Sequence, residues 1–304
     1  MKILITGATG FIGQALVNAL LKQDHRVIVV SRSARQLESR EGRVRHVAWN
    51  PEDEKTVLRE IDGTDAVINL VGEPIAQRWT EKRKQKILKS RVQTARIIHQ
   101  SIKEATVKPQ VLINASAVGY YGARGNEALG EEAAPGSGFL AEVCKSWEAH
   151  AIRAEDFNVR VVRLRIGVVL DQGGGALKLM LPPFKLGLGG WLGSGNQWFS
   201  WIHREDLIQL VLFCLDHELI KGAVNAVSPL PVTNKVFSLV LAQVLKRPCL
   251  FPVPAFALKL LMGEMSEMLL TGQRVVPRKA QEAGFSFQYP DIRKALEEIL
   301  RENS

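Results

Sequence analysis

Residues 6–13, TGATGFIG, decide how the chain is read. They follow directly on the apolar run MKILI, and their glycines fall at positions 7, 10 and 13. A plain turn between strand and helix needs only one glycine. Here each position meets its own demand: Gly7 permits the tight turn, Gly10 lets backbone approach a pyrophosphate, and Gly13 lets helix and strand pack closely. The phosphates would sit on the N-terminus of the next helix, where free N–H groups and the dipole favour an anion.

The surroundings support a nucleotide-binding unit. KILIT (2–6) reads as a strand and Ile12–Leu21 as a helix. Further apolar runs at 26–31, 44–49, 65–72, 110–116 and 160–170 read as five more strands, each set off by a stretch long enough for a crossover. Near-continuous Val/Ile/Leu strands alternating with helices define an α/β fold, a parallel sheet covered on both faces. After about residue 170 the chain becomes rich in glycine and tryptophan, and a helical run is expected at 255–270. This divides it into a dinucleotide-binding part, 1–170, completed by about 201–227. The segments 171–200 and 228–304 form a smaller substrate-side region across the carboxyl edge of the sheet, where such sheets bind ligands.

The second strand selects the cofactor. NAD sites place a carboxylate there for the ribose 2′-hydroxyl. This chain has Ser31 and Arg32 instead. A hydroxyl and a guanidinium suit a 2′-phosphate, which favours NADP(H). Trp49, at the end of the third strand, faces either the adenine or the core.

Composition narrows the class. With 304 residues, 46% hydrophobic and 23% charged, the chain is ordinary for a soluble globular protein. No secretory signal or membrane span is legible, and three scattered cysteines point to a reducing, cytoplasmic setting. The six scattered histidines show no metal-ligand spacing, so no metal is expected. The net charge of +9 is concentrated in RWTEKRKQKILKSR, Arg78–Arg91. That run reads as a solvated helix face, with anionic partners as the alternative. No nucleic-acid-binding pattern accompanies it, so nucleic acid is not an expected partner.

The opening motif, NLVGE (69–73) and the strand ending in Ser116 resemble an extended short-chain dehydrogenase/reductase. The basic run, SAVGYYG (116–122), FLAEVCKSWE (139–148), RIGVVLDQGGGAL (165–177), GSGNQWFSWIHREDL (193–207), VTNKVF (232–237) and GQRVVPRKAQEAGFSF (272–287) are similar to one atypical subgroup. It is called the "epimerase family", has a C-terminal domain of its own, and includes members called cell-division inhibitors. The resemblance covers nearly the whole chain. It implies a Rossmann-type doubly wound sheet, bound NADP(H), and an unidentified small-molecule substrate in the cleft. Homo-oligomerisation stays open. The cofactor would contact the glycine loop (Gly7, Thr9, Gly10, Phe11, Ile12, Gly13), Ser31, Arg32, and the backbone of Leu70, Val71 and Gly72. Lys86 and Arg91 of the basic helix would also contribute, and Arg165, Ile166 and Gly167 would face the nicotinamide.

The chemistry departs from the family pattern. Active members use a Ser or Thr with a Tyr-x-x-x-Lys pair on the following helix. Ser116 fits the first role. If Lys145 is the lysine, Ala141 holds the tyrosine position; if Glu148 sets the alignment, Leu140 and Cys144 replace the pair. Either way the tyrosine is missing. Tyr120 and Tyr121 are the candidate phenols, Glu73 a candidate acid, and Cys144 an improbable nucleophile. Glu264 and Glu267 read as the polar side of a Met/Leu-rich helix. His203 and Asp206 read as structural, with Asp206 capping a helix. Trp191, Gln197, Trp198 and Trp201 either line a cleft for a planar or partly apolar ligand or seal the junction between the two regions. Two functions remain: an NADP(H)-dependent oxidoreductase or epimerase with a rearranged proton donor, or an NADP(H)-binding regulator acting through a protein partner, for which the resemblance alone suggests cell division.

Overall fold

The computed structural model describes residues 1–32, 42–50 and 53–301. At its centre are strands β1 (Lys2–Thr6), β2 (Arg26–Ser31), β3 (Val44–Ala48), β4 (Ala66–Asn69), β5 (Val111–Ala117), β6 (Arg160–Ile166) and β7 (Gly222–Ala226). They form one sheet in the order β7-β6-β5-β4-β1-β2-β3, and every pairing is parallel. The chain runs outward from β1 to β3 and then crosses back to β4 on the other side of β1. The loops leaving β1 and β4 therefore part, and a crevice opens at the carboxyl ends of those two strands.

The helices are α1 (Phe11–Lys22), α2 (Glu54–Ile61), α3 (Glu81–Glu104), α4 (Phe139–Ile152), α5 (Gly175–Lys185), α6 (Arg204–Asp216), α7 (Asn234–Val244), α8 (Ala255–Met262), α9 (Ser266–Leu270), α10 (Arg278–Glu282) and α11 (Ile292–Arg301). Strand side chains alternate between faces, which is why β1 serves two cores. Ile3 and Ile5 pack with Leu16 and Leu20 of α1 and with Leu207 and Val211 of α6. Leu4 packs on the other side with Val57 and Ile61 of α2 and Ile97 and Ile102 of α3. Burying each such side chain contributes about 1.5–3 kcal/mol. Trp49 belongs to this second core and does not face the groove. A third core holds the substrate-side region together, with Leu177, Leu181 and Phe184 of α5 against Phe237 and Leu241 of α7 and Ile292 and Leu296 of α11.

Two elements differ from the sequence-based expectation. The strand expected over 160–170 breaks at Gly167. A Cβ there would lie 2.6 Å from the Ser200 carbonyl oxygen, so only glycine allows the swerve. Beyond it, Val168–Asp171 leaves the main sheet and pairs in parallel with Trp201–His203. The helical run expected over 255–270 breaks at Gly263 (φ +59°), giving α8, a 3-10 turn and α9. Among the described residues no helix is long and apolar enough to cross a membrane.

Candidate dinucleotide groove and active site

The glycine loop lies in the crevice. Gly7 takes φ +79°, and a Cβ on it would come within 2.9 Å of the Leu70 and Val71 backbone. A Cβ on Gly13 would come within 2.5 Å of Ala8 Cα, so α1 can lie against the loop only without one. At Gly10 a Cβ would meet only the Gly7 carbonyl oxygen, at 3.3 Å. Gly10 is also the N-cap of α1; no side chain caps the helix and its first turn carries no acid. The helix therefore presents bare N–H groups, as a pyrophosphate requires. Thr9 is exposed and Ile12 is half-buried against the first core.

Sequence reasoning missed the brace beneath this loop. Thr6 Oγ1 donates to Asn69 Oδ1 at 2.8 Å, and Asn69 Nδ2 donates to Asn114 Oδ1 at 2.7 Å. The Val71 N–H donates to Asn69 Oδ1 at 3.2 Å, so the ladder fixes the backbone after β4. Its signal was an asparagine within each of two buried apolar strands, Asn69 at the end of β4 and Asn114 in the middle of β5. Phe11 is covered by the Gly173–Gly175 turn, where a Cβ on Gly174 would sit 2.4 Å from the ring.

At the end of β2, Ser31 is buried, whereas the Arg32 side chain is 77% exposed. The Arg32 guanidinium stands 3.7 Å from Glu73, which also takes Arg83 at 3.3 Å. Glu73 is thus shared between two guanidiniums, and the Arg32 contact is the looser of the two. Arg91 is half-buried: it donates to the Ile87 and Glu73 carbonyls, both at 3.1 Å, and lies over Trp147. It braces the backbone beside Gly72, while Lys86 is exposed.

Ser116 is buried at the end of β5 and donates to Glu148 Oε1 at 2.7 Å. Helix α4 turns Leu140 and Cys144 toward this strand end: a Cβ on Gly119 would lie 3.2 Å from Leu140 Cβ and 3.9 Å from Cys144 Sγ. Lys145 instead pairs with Glu142 on a more exposed side of the helix. Leu140 and Cys144 therefore face the strand end that carries Ser116, and Lys145 does not. Burial pushes the Cys144 thiol up to about 11, so it is no nucleophile at neutral pH.

Arg165 does not reach toward a nicotinamide. Its side chain is buried and makes a two-point pair with Glu148, through Nε at 2.9 Å and Nη2 at 3.0 Å. Arg163 adds a third contact to Glu148 at 3.0 Å. Burial alone would disfavour the Arg165 charge, but the Glu148 hydrogen bonds and charge outweigh it and raise its pKa. Arg165 Nη1 also donates to the Tyr121 hydroxyl at 2.9 Å, and that hydroxyl donates to Asn225 Oδ1 at 2.6 Å. Tyr121 is wholly buried, and burial pushes its phenol up to about 12. The expectation of Tyr121 as a proton donor is corrected accordingly: it is a strut in this network. Tyr120 is half-buried, its ring 3.5 Å from the Arg165 guanidinium. Ile166 and Gly167 follow Arg165, with Ile166 beside Ala117 across the ladder.

The tryptophan segment divides. Trp201 is wholly buried in the third core with its Nε1 donating to the Leu230 carbonyl, so it does not line a cleft. Gln197 donates to the Leu192 and Leu269 carbonyls at 3.0 and 2.8 Å and staples the junction. Trp191 and Trp198 are half-buried, the latter donating to Asn126 Oδ1 at 2.9 Å.

Asp206 does not cap its own helix. Its carboxylate accepts the Gln288 and Tyr289 N–H groups at 2.7 and 3.0 Å, tying the C-terminal segment to α6. The cap is His203, whose Nδ1 accepts the Glu205 N–H at 3.1 Å. Burial lowers the His203 pKa to about 4 from 6.5. The unfolded chain therefore binds the extra proton first, and the contribution of neutral His203 is complete above pH 6.5 and lost as pH falls toward 4. The slope in that window reaches at most about 1.4 kcal/mol per pH unit. Denaturation midpoints followed through the window should fall more steeply for the wild type than for His203→Asn, which keeps a capping oxygen; parallel curves would refute this.

This fold and groove define a dinucleotide-binding protein of the extended reductase/epimerase class. A family model described as "NAD dependent epimerase/dehydratase family" matches residues 3–226, and a domain of unknown function (DUF1731) matches 253–299. The chain belongs to this epimerase family. It is 41% identical over 99% of its length, and 87% of the relative's, to the epimerase family protein SDR39U1 homolog, chloroplastic, of Arabidopsis thaliana. It is 40% identical to the epimerase family protein YfhF of Bacillus subtilis, over 99% of this chain and 98% of that one. Among solved structures, human epimerase family protein SDR39U1 (isoform 2) with NADPH matches all of both chains, with a TM-score of 0.89 and 34% identity.

Proposed function

We propose that this protein binds NADP(H) in the crevice and uses it to oxidise or reduce a small molecule beside Ser116. One observation carries the cofactor choice: β2 ends in Ser31 and an exposed Arg32, next to an uncapped α1 N-terminus. The NADPH in the human relative agrees with it. The bare N–H groups of α1 would hold the pyrophosphate, Arg32 the 2′-phosphate, and the braced Leu70–Gly72 backbone the path toward the reacting end. When bound, the nicotinamide supplies or accepts the hydride.

Ser116 is placed to bind the substrate oxygen as an acceptor. Its only proton is donated to Glu148, so it offers lone pairs, which suit a substrate hydroxyl. Tyr120 is the remaining phenol near the site. The test is turnover of NADPH with carbonyl compounds, and of NADP+ with alcohols and nucleotide sugars. Ser116→Ala should lower any activity found by about 2–10-fold, the worth of one neutral hydrogen bond. Tight cofactor binding without turnover anywhere in the panel would refute the enzymatic reading and leave a cofactor-binding regulator.

A further inference from the structure

The substrate-side region carries an apolar face that the fold leaves uncovered. Leu186, Leu188, Phe251, Phe256, Leu260 and Leu261 are each between 71% and 77% exposed. Single exposed leucines are ordinary; a group of six large side chains is not. Leu186, Leu188 and Phe251 are brought together because residues 186–193 run alongside 248–253, and α8 carries the other three. Gly187 lies against Pro248, Gly190 against the Phe251 carbonyl, and Val253 donates to the Trp191 carbonyl at 2.7 Å. Helix α8 starts two residues later, with only Leu258 fully buried. The contrast with α11 is informative. That helix is strongly amphipathic, and its apolar residues Ile292, Leu296 and Ile299 are buried in the third core, whereas α8 is apolar nearly all round.

The segments that build this face carry basic residues only, and the nearest acids in sequence, Glu264 and Glu267, follow α8, with Glu264 paired to Lys84. Residues 172–204 and 219–263 contain no Asp or Glu. The same stretches place Lys178, Lys185, Lys246, Arg247 and Lys259 at the surface. None of these five forms an ion pair among the described residues. Two copies of a cationic face would repel, which argues against self-association through it. A surface of negative phosphates over an apolar interior matches both halves of the pattern, since protruding Leu and Phe enter the acyl boundary while Lys and Arg meet the headgroups.

We propose that this face, α8 with the 186–188 and 250–251 loops, docks reversibly on an anionic lipid bilayer. The test is co-sedimentation of the full-length protein with vesicles of phosphatidylglycerol and phosphatidylcholine, against vesicles of phosphatidylcholine alone. The expected result is binding to the anionic vesicles at least tenfold tighter than to the neutral ones, weakened by added salt. The double variant Phe256→Ser/Leu260→Ser should lose at least tenfold of that binding while keeping its circular dichroism spectrum and its NADPH affinity. Equal binding to both vesicle types, no binding to either, or a double variant that binds like the wild type would overturn the proposal. So would a wild-type dimer in solution that the same substitutions dissociate, since the face would then belong to a second copy.

Discussion

Replacing Glu148 by alanine is expected to destabilise the fold by about 3–5 kcal/mol, the cost of leaving a buried charge without its partner. Glu148 and Arg165 are both buried side by side, and the carboxylate is the partner of two guanidiniums and of the Ser116 hydroxyl. Without it, Arg165 would keep only the Tyr121 hydroxyl and the Glu131 carbonyl as acceptors, with Tyr120 on its face. A lone guanidinium there cannot neutralise itself, because its pKa lies far above any working pH. The penalty should appear as a lower denaturant midpoint at nearly unchanged slope. Glu148→Gln, which retains the shape but not the charge, should fall between the wild type and Glu148→Ala. A Glu148→Ala midpoint within about 1 kcal/mol of wild type would mean that water or another group compensates Arg165.

Six of the sheet's seven strands were legible because they are apolar runs that suit a parallel, doubly covered arrangement; β7, the short GAVNA at 222–226, was not read as a strand. Gly7, Gly10 and Gly13 were legible for a related reason: their spacing answers constraints that are local in the chain. The losses came where two distant segments meet. Arg163 and Arg165 lie two apart on a strand, hence on one face, and a half-buried and a buried cation on one face call for a carboxylate. That signal was present, but only the fold shows that α4 delivers Glu148 to them. Tyr121 looked like a loop phenol because the sequence could not show Asn225 beneath it. Trp201 looked like cleft lining because an aromatic in a glycine-rich loop reads the same whether it faces a ligand or the core. The break at Gly167 was invisible because residues 168–170 are as apolar as the strand before them; what ends the strand is the approach of Ser200, 33 residues further on. Which residues of α4 face Ser116 needed the helix rotation, which puts Leu140 and Cys144 inward and Lys145 on the more exposed side.

The cofactor reading rests on Arg32. Its guanidinium is 77% exposed and its contact with Glu73, at 3.7 Å, is loose enough to be exchanged for a phosphate. A charge-assisted hydrogen bond to such a group contributes about 1.5–3 kcal/mol, or about 10–100-fold in affinity. NADH, which lacks the 2′-phosphate, should gain nothing from it. The most direct measurement is therefore a set of calorimetric titrations with NADPH and with NADH, on the wild-type protein and on Arg32→Ala. The account predicts that the wild type prefers NADPH, and that Arg32→Ala weakens NADPH binding about 10–100-fold while leaving NADH binding nearly unchanged. Equal affinity for the two cofactors in the wild type, or an unchanged NADPH preference in Arg32→Ala, would contradict it.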